Sequence, residues 1–292
     1  MPAVVGVVRS GVIATVAVLA TAAVALADDF NGTKGNDTIR GTEQADRIGG
    51  GHGDDRIFAL GGNDSVNGGP DSDLIDGGRG NDQIMGAYCD VGEVGRQCDN
   101  PGHEDLRGGY GNDVLLANGC VTSFCAYDPY IALDSTYDGG PGDDKVIGAD
   151  GRDLIHGGPG SDILKGVRAE DTIFGDRGAD RIVGGGGDDL LVGGPGADMM
   201  KGRAGRDRLR GGPGRDRLWG VDGNDVLTGG AGGDRLKGGP GGDTIRGGSA
   251  NDRIYAHDGE KDRVDCGSGD ADVAFVDPRD VVARCEQVIR RP

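Results

Sequence analysis

GGPGDDKVI-GADGRDLIH-GGPGSDILK-GVRAEDTIF, residues 139–174, opens a stretch of 117 residues that ends at Tyr255 and divides without a gap into thirteen units of nine. The consensus of the units is G-G-x-G-x-D-x-U-x, where U is aliphatic. A repeat of this kind decides the architecture, because a single unit can bury its apolar side chain only against its neighbours. Places in the unit are numbered one to nine below.

Two places are occupied without exception in the main block, Gly139–Tyr255. The sixth place always holds aspartate: Asp144, Asp153, Asp162, Asp171, Asp180, Asp189, Asp198, Asp207, Asp216, Asp225, Asp234, Asp243 and Asp252. The eighth place always holds an apolar residue: Val146, Ile155, Leu164, Ile173, Ile182, Leu191, Met200, Leu209, Leu218, Leu227, Leu236, Ile245 and Ile254.

A shorter block, Gly32–Met85, contains six further units with less regular glycines. Its sixth-place residues are Asp37, Asp46, Asp55, Asp64, Asp73 and Asp82. Two more units, DNPGHEDLR and GGYGNDVLL, follow it, and their sixth places hold Glu104 and Asp113. The chain therefore presents twenty sixth-place aspartates in register.

The composition of the unit predicts a turn followed by a short strand. Glycine at places one, two and four indicates a backbone that visits positive φ or packs closely. Seven of the eleven prolines stand at the third place, which therefore belongs to a turn. In D-x-U-x an apolar side chain alternates with polar neighbours, which is the period of a strand with one buried face.

A second period of 18 residues is visible in the main block. Six of its seven odd-numbered units open with Gly-Gly, whereas only two of its six even-numbered units do so. This alternation predicts two units per turn of the chain, with odd units stacked on one edge and even units on the other.

The pattern resembles the haemolysin-type calcium-binding repeat of the RTX proteins over about two thirds of the chain. The resemblance implies an all-β fold, a parallel β-roll or β-solenoid of nonapeptide repeats. It also implies Ca²⁺ ions held between turns by the twenty sixth-place aspartates named above and by backbone carbonyls of the glycine-rich loops. Calcium takes six to eight oxygen ligands, whereas magnesium requires a stricter octahedron and should compete poorly.

Composition limits the class of protein. Glycine makes up 62 of 292 residues and aromatic residues only 4%, which argues against a conventional globular core. The formal net charge of -18 disfavours nucleic acid and anionic membranes as partners and favours multivalent cations. Disorder is the alternative for so charged a chain, but a disordered chain has no reason to keep a nine-residue register.

Residues 1–27 differ from the rest of the chain. One charge, Arg9, precedes the apolar run Val12–Leu26 and the small-residue site Ala25-Leu26-Ala27. This order is typical of a secretory signal peptide cleaved after Ala27, and it predicts an extracellular protein. The alternative is a retained membrane anchor, since the run is nearly long enough to span a bilayer.

Two segments, Gly86–Cys98 and Ala117–Asp138, interrupt the repeats within residues 86–138 and are expected to form surface loops. Each contains two cysteines, and the tail contains two more. Six cysteines allow fifteen pairings. Local pairing is the economical choice in an exported chain, and it gives Cys89–Cys98, Cys120–Cys125 and Cys266–Cys285. A zinc site is the alternative, but no Cys-x-x-Cys and no nearby pair of histidines supports it.

The tail, Ala256–Pro292, departs from the glycine register. Asp277-Pro278 is typical of a helix start, and the apolar residues between Val281 and Ile289 fall on one helical face. Because a solenoid must cover its last edge and its apolar stack, we expect this segment to be a C-terminal cap.

No residue pattern indicates catalysis. Neither H-E-x-x-H nor G-x-S-x-G occurs, and the four histidines are expected to be solvated at variable positions. The expected function is that of a secreted, non-enzymatic calcium-binding β-roll, structural or adhesive, in contact with cell-surface or extracellular components. The alternative is an accessory module of a secreted hydrolase, or an undetected hydrolase. Ice binding would need a regular outward Thr/Asn ladder, which the sequence lacks.

Overall fold

The computed structural model describes residues 7–10, 13–16, 28–87, 104–118 and 134–290. Within these ranges every regular element is a β-strand, and the chain forms a parallel β-solenoid, as predicted. No helix in the described part of the chain is long and apolar enough to cross a membrane. The chain divides into two compact units, Met1–Ala149 and Asp150–Pro292.

The first unit contains thirteen strands among its described residues. They are β1 (Val7–Ser10), β2 (Ile13–Val16), β3 (Asp29–Asn31), β4 (Asp37–Arg40), β5 (Arg47–Gly49), β6 (Arg56–Phe58), β7 (Ser65–Asn67), β8 (Leu74–Arg79), β9 (Gln83–Ala87), β10 (Asp105–Tyr110), β11 (Val114–Asn118), β12 (Thr136–Asp138) and β13 (Lys145–Ile147). Even-numbered strands form one sheet, and odd-numbered strands from β3 onward form another. All pairs are parallel except the antiparallel pair β1–β2.

Of the predicted signal peptide, the structure describes only β1 and β2. The other residues of segment 1–27 lie outside the described ranges.

The second unit has sixteen strands in its described part. They are β14 (Leu154–Pro159), β15 (Ile163–Arg168), β16 (Thr172–Arg177), β17 (Arg181–Gly186), β18 (Leu190–Val192), β19 (Met199–Ala204), β20 (Arg208–Pro213), β21 (Arg217–Asp222), β22 (Val226–Ala231), β23 (Arg235–Lys237), β24 (Thr244–Ser249), β25 (Arg253–Ala256), β26 (Arg263–Ser268), β27 (Val273–Val276), β28 (Val281–Ala283) and β29 (Gln287–Arg290). The even-numbered strands, β14 to β28, form one sheet, and the odd-numbered strands, β15 to β29, form the other.

Strand pairing confirms two repeat units per coil. In β15 and β17 the residue Ile163 is paired with Arg181, and Leu164 with Ile182, at a separation of 18 residues. Odd-numbered units of the main block therefore stack in one sheet and even-numbered units in the other. The 18-residue alternation of Gly-Gly openings gave this arrangement correctly.

The core is a single apolar layer between the two sheets of each unit. Every eighth-place residue of the two blocks is buried, with at most 3% of its surface exposed. Its two neighbours in the strand are exposed or half-buried, as in the pattern of β23, where only Leu236 of Arg235–Lys237 is buried. The alternation follows from the two-residue period of a strand, in which successive side chains point to opposite faces.

Glycine at the loop places is required by close stacking of the coils. Gly178, at a fourth place, has φ of +142°, and a Cβ there would overlap the carbonyl oxygen of Gly160 in the preceding coil. Three even-numbered units carry a larger residue at the second place with positive φ, namely Val167 at +114°, Arg203 at +98° and Val221 at +95°. Such a conformation strains a residue that has a Cβ, so these units store backbone strain that Gly-Gly units avoid.

The two interruptions leave the register of the solenoid intact. Leu74 pairs with Asp105, and Asp105 pairs with Thr136, each across 31 residues, which is one coil of 18 plus 13 additional residues. Strand β12 lies inside the segment Ala117–Asp138, and its central Tyr137 is fully buried at an eighth place. The predicted pairs Cys89–Cys98 and Cys120–Cys125 lie outside the described residues.

The prediction of a helix in the tail was wrong. A turn follows Asp277, and the chain then forms β28 and β29, which extend the two sheets of the second unit. The edges of β26 and β27 offer unpaired backbone groups, and strand pairing satisfies these groups where a helix would not. The apolar spacing that suggested one helical face instead places Val282 and Val288 opposite Val264 and Ala274.

The predicted tail disulfide is confirmed. Cys266, in β26, is fully buried and is bonded to Cys285, with 5.1 Å between the Cα atoms. Next to it, Arg284 donates to both carboxylate oxygens of Asp265. Both contacts attach the last coil to the coil before it.

Loss of this bridge is expected to detach the last coil. Replacing Cys266 and Cys285 by serine should destabilise the terminal strands by about 2–4 kcal/mol, since the cross-link closes a short loop in the unfolded chain. Hydrogen exchange in calcium should then show loss of protection in β28 and β29, while β20 to β24 stay protected. Unchanged protection in β28 and β29 would contradict a stapling role.

Candidate metal sites

The sixth-place aspartates lie immediately before the strands and are buried, each with at most 3% of its surface exposed. In successive coils the backbone N–H of one aspartate donates to the Oδ1 of the aspartate 18 residues later. The distance is 2.9 Å from Asp180 to Asp198 and 2.8 Å from Asp198 to Asp216. The same bond joins Asp37 to Asp55 in the first unit, at 2.8 Å. The carboxylates thus form a continuous column along each edge.

The second oxygen of these carboxylates has no hydrogen-bond donor in most coils. Buried Oδ2 atoms that accept no hydrogen bond within the described structure belong to Asp55, Asp64, Asp73, Asp82, Asp113, Asp180, Asp189, Asp198, Asp207, Asp216, Asp225, Asp234, Asp243, Asp252, Asp262 and Asp272. A buried carboxylate oxygen without a donor is costly, so this array of oxygens is suited to binding cations.

At many of these sites a backbone carbonyl oxygen lies near the Oδ2 atom. A Cβ built on the first-place Gly77 would lie 2.5 Å from Asp82 Oδ2 and 2.5 Å from the carbonyl oxygen of Gly108, the first-place residue one coil later. The first-place glycine is therefore required because a side chain would fill the space where the carboxylate and the carbonyl converge. The same convergence recurs at Gly211, between Asp216 and Gly229.

Burial raises the pKa of these carboxyls well above the ordinary 3.8, and neighbouring carboxylates add to the shift at most of them. The pKa rises to about 7 at Asp180, Asp198, Asp207, Asp234 and Asp243. It rises to about 8 at Asp73 and, from an ordinary 4.5, to about 9 at Glu104. Without a cation, the folded chain therefore opposes ionisation of its own acid columns.

The donor set fits a hard divalent cation. Each candidate site combines sixth-place carboxylates from two coils with first-place carbonyl oxygens, and calcium is bound in proteins through such oxygens. When bound, the ion supplies two positive charges that neutralise the carboxylates. The residues themselves fix the spacing, because the N–H to Oδ1 bond sets where each carboxylate stands in its coil.

A family model, the RTX calcium-binding nonapeptide repeat, matches most of the chain. The chain belongs to this family. The matched residues are 25–57, 49–84, 100–120, 138–168, 166–200, 201–236 and 237–260. RTX repeats bind calcium in general. Among curated proteins, no sequence gives a significant match to the chain.

The structure brings the twenty predicted residues together in two columns in each unit. In the first unit one column contains Asp37, Asp55 and Asp73, and the other contains Asp46, Asp64, Asp82, Asp113 and Asp144. In the second unit the columns run from Asp153 to Asp243 and from Asp162 to Asp252 in steps of 18 residues.

The first two columns begin with altered sites. Where threonine replaces the second-place glycine, its N–H donates to the Oδ2 of the same unit, from Thr33 to Asp37 and from Thr42 to Asp46. The hydroxyl of Thr42 donates to Asp46 as well. Both oxygens of Asp46 have protein donors, so Asp46 should be the weakest ligand of the first unit, whereas Asp37 keeps a buried Oδ1 without a donor.

Glu104, which the repeat places at a sixth position, takes its place in a column and accepts the backbone N–H of Asp73. The glycine pattern missed several other members: Ser135, Asp262, Asp272, Asp280 and Glu286, each of which accepts a backbone N–H from the preceding coil. Their signal in the sequence is the acid-x-apolar triad, as in Asp262-Arg263-Val264, which persists where the loop glycines are lost. In the tail, the number of residues per coil varies from 14 to 20.

A third carboxylate joins the column near the tail. Ligand oxygens of Asp243, Asp258 and Asp262 lie within 4.8 Å of one another, and Asp258 is exposed whereas the other two are buried. The backbone N–H groups of Asp258 and Gly259 donate to Asp277, which holds this loop in place. Asp258 is therefore a candidate additional ligand in the terminal coils.

Proposed function

We propose that this chain is a secreted, non-enzymatic β-roll that folds around many calcium ions and serves a structural or adhesive role outside the cell. The observation that carries the proposal is the array of buried Oδ2 atoms without donors. A rigid scaffold of this size with no need for a cation would not place so many carboxylates in its interior. Pairs of aspartates one coil apart give ten sites between Asp153 and Asp252 in the second unit and four in the first block.

Export is supported by chemistry at both ends of the chain. Residues 1–27 have the charge, apolar run and small-residue site of a signal peptide. The Cys266–Cys285 bridge belongs to an oxidising compartment, where such bonds persist. Extracellular fluid also supplies calcium at the concentrations that weak oxygen sites require.

A non-enzymatic role is supported by how the titratable groups are used. The carboxylates recur with each coil, whereas catalysis by an acid and a base needs one pair with different environments. His156, expected to be solvated, lies 3.1 Å from Asp176 through its Nδ1 and is stacked on Phe174. These contacts fix the imidazole within the outward face of its sheet.

Isothermal titration of the calcium-stripped mature chain tests the proposal. Calcium is expected to bind many sites cooperatively, because each ion stabilises the coils on both of its sides. Magnesium at equal concentration should produce little heat and no folding, since it retains its waters and demands an octahedron. Equivalent folding in magnesium, or uptake of only one or two calcium ions, would overturn the proposal.

The two edges are expected to differ in affinity. Asp198→Ala, in an odd-numbered Gly-Gly unit, should weaken the tightest phase of calcium binding more than Asp171→Ala, whose unit carries Val167 at positive φ. The reason is the backbone strain at second-place Val167, which the ordered, calcium-bound coil must retain. Calcium titration of the two variants followed by tryptophan fluorescence and calorimetry measures the difference. Equal losses would contradict it.

A further inference from the structure

The second unit has a basic surface, although the chain as a whole is acidic. Residues 150–292 contain 22 Lys and Arg against 26 Asp and Glu, while residues 1–149 contain 9 against 23. Fourteen of the 26 acids of the second unit are the buried members of its columns, from Asp153 to Asp272. Asp280 and Glu286 continue the columns into the tail, and only 10 further acids oppose the 22 cations, so neutralisation of the columns leaves a strongly cationic unit.

The cations are concentrated on the outward face of the odd-numbered sheet. Seventh-place Arg217, Arg235 and Arg253 are paired in register on consecutive strands. Strands of a sheet lie about 4.7–4.9 Å apart, so the three guanidinium groups follow one another at that interval. We define the cationic face by six exposed residues: Arg181, Lys201, Arg217, Arg235, Lys237 and Arg253.

The outward places of these strands contain no carboxylate that could compensate the face. Between Ile163 and Phe275 the seventh and ninth places of the odd-numbered strands contain no Asp or Glu. The ion pairs found in the described part of the second unit involve other cations, such as Arg206 with Asp188 and Arg284 with Asp265. Like charges on neighbouring strands destabilise a sheet, so an external anion bound along this row of cations would stabilise it.

The aromatic side chains of the face are already engaged. Tyr255 and Phe275 are stacked on each other with their rings 4.9 Å apart and nearly parallel. The ammonium of Lys201 lies 5.6 Å from the ring centre of Trp219. Single-stranded nucleic acid binds through bases stacked on free ring faces, and membranes need protruding apolar side chains, so neither matches this surface.

We propose that the cationic face docks a linear acidic polysaccharide. A chain with one carboxylate or sulfate at intervals of a sugar unit can run across the strands and meet one cation per coil. Its hydroxyl groups and charges need only polar contacts along a flat surface, which is what the half-buried aromatics and exposed Arg and Lys side chains offer. This binding goes beyond calcium binding, and it rests on the calcium-bound, folded state of the second unit.

Binding of heparin oligosaccharide to the mature protein in millimolar calcium tests the proposal. The triple variant Arg217→Gln, Arg235→Gln, Arg253→Gln should bind about tenfold more weakly than the parent chain. A matched control, Arg208→Gln, Arg210→Gln, Arg246→Gln, removes three exposed cations from the even-numbered sheet, and its affinity should change less than about twofold. Parent binding should weaken with rising salt.

Circular dichroism in calcium separates failure of this proposal from failure of folding. Both triple variants should keep the spectrum of the parent chain. If the first triple variant does not fold, the single variant Arg235→Glu tests the same face. Equal losses in both triples would show a response to net charge alone and would overturn the assignment of the face. Tighter binding of oligo-dT or of phosphatidylglycerol vesicles than of heparin would overturn the choice of partner. Binding of neutral dextran would exclude a charge-driven contact.

Discussion

Removal of calcium at pH 7.5 is expected to abolish most of the β-structure of the mature chain. Each unit of nine residues buries one aliphatic side chain, and its glycines lose much conformational freedom on folding. The ionised carboxylates are buried in two columns, and each lies one coil away from the next. Their burial and mutual repulsion destabilise the folded state further. A divalent cation reverses that contribution, and its binding free energy becomes folding free energy because the site does not exist in the unfolded chain.

The measurement is far-ultraviolet circular dichroism, first in chelator and then in millimolar calcium. We expect a disordered spectrum that becomes β-rich over a narrow range of calcium, with affinities of roughly 10⁻⁴–10⁻³ M per site as in extracellular modules. Magnesium at the same concentration is the control and should leave the chain disordered. A β-rich spectrum already present in chelator and unchanged by calcium would show that the aliphatic layer alone holds the solenoid.

The regular part of this fold could be predicted from the sequence because its two decisive places are strictly periodic. Asp198 and Met200 illustrate why. Asp198 must lie directly before the strand, and Met200, two positions later, must point inward, so only one strand register satisfies both requirements. The 18-residue alternation of Gly-Gly openings then separates the two sheets. Nothing beyond nearest-neighbour stacking is needed to build such a coil.

The irregular part could not be predicted because strand pairing overrides local sequence preference there. Asp277-Pro278 has the chemistry of a helix start, yet the open edge of β26 accepts β28 as a further strand. Thr136–Asp138 lacks every loop glycine, yet Tyr137 fills an eighth place. In both segments the register is imposed by the preceding coil, and the sequence retains only an acid or hydroxyl two residues before an apolar side chain.

The hydrogen bond that Oδ1 of a sixth-place aspartate accepts could not be predicted from the sequence either. The pattern indicates that the sixth-place carboxylate faces a cation, but it does not show that one oxygen accepts the N–H of the preceding coil. At Asp216 that bond measures 2.8 Å, and only Oδ2 remains without a donor. Such an aspartate therefore spaces the coils through Oδ1 and leaves Oδ2 available to a cation. Within the two repeat blocks and the units between them, glutamate takes a sixth place only once, at Glu104.

Acid is expected to replace calcium. Because the pKa values of the buried carboxyls are raised in the folded state, to about 6 at Asp189 and Asp216 and about 7 at Asp180 and Asp198, protonation favours folding. Their stabilisation is fully present below the ordinary pKa of 3.8 and is lost as the pH rises through the folded-state pKa values of about 6 and 7. Calcium-stripped protein should therefore gain β-structure on titration from pH 8 to pH 5, followed by circular dichroism.

Neutral side chains of the same shape provide the matched control. Asp180→Asn, Asp198→Asn and Asp216→Asn together remove three ionisable groups from one column while keeping an oxygen for the N–H bond from the preceding coil. In calcium-free buffer this variant should hold β-structure to higher pH than the parent chain, and in calcium it should bind fewer ions. The opposite dependence, with β-structure lost on acidification, would mean that the carboxylates are stabilised as anions by the protein itself. The columns would then need no cation, and the fold would be stabilised by the aliphatic layer and the strand hydrogen bonds.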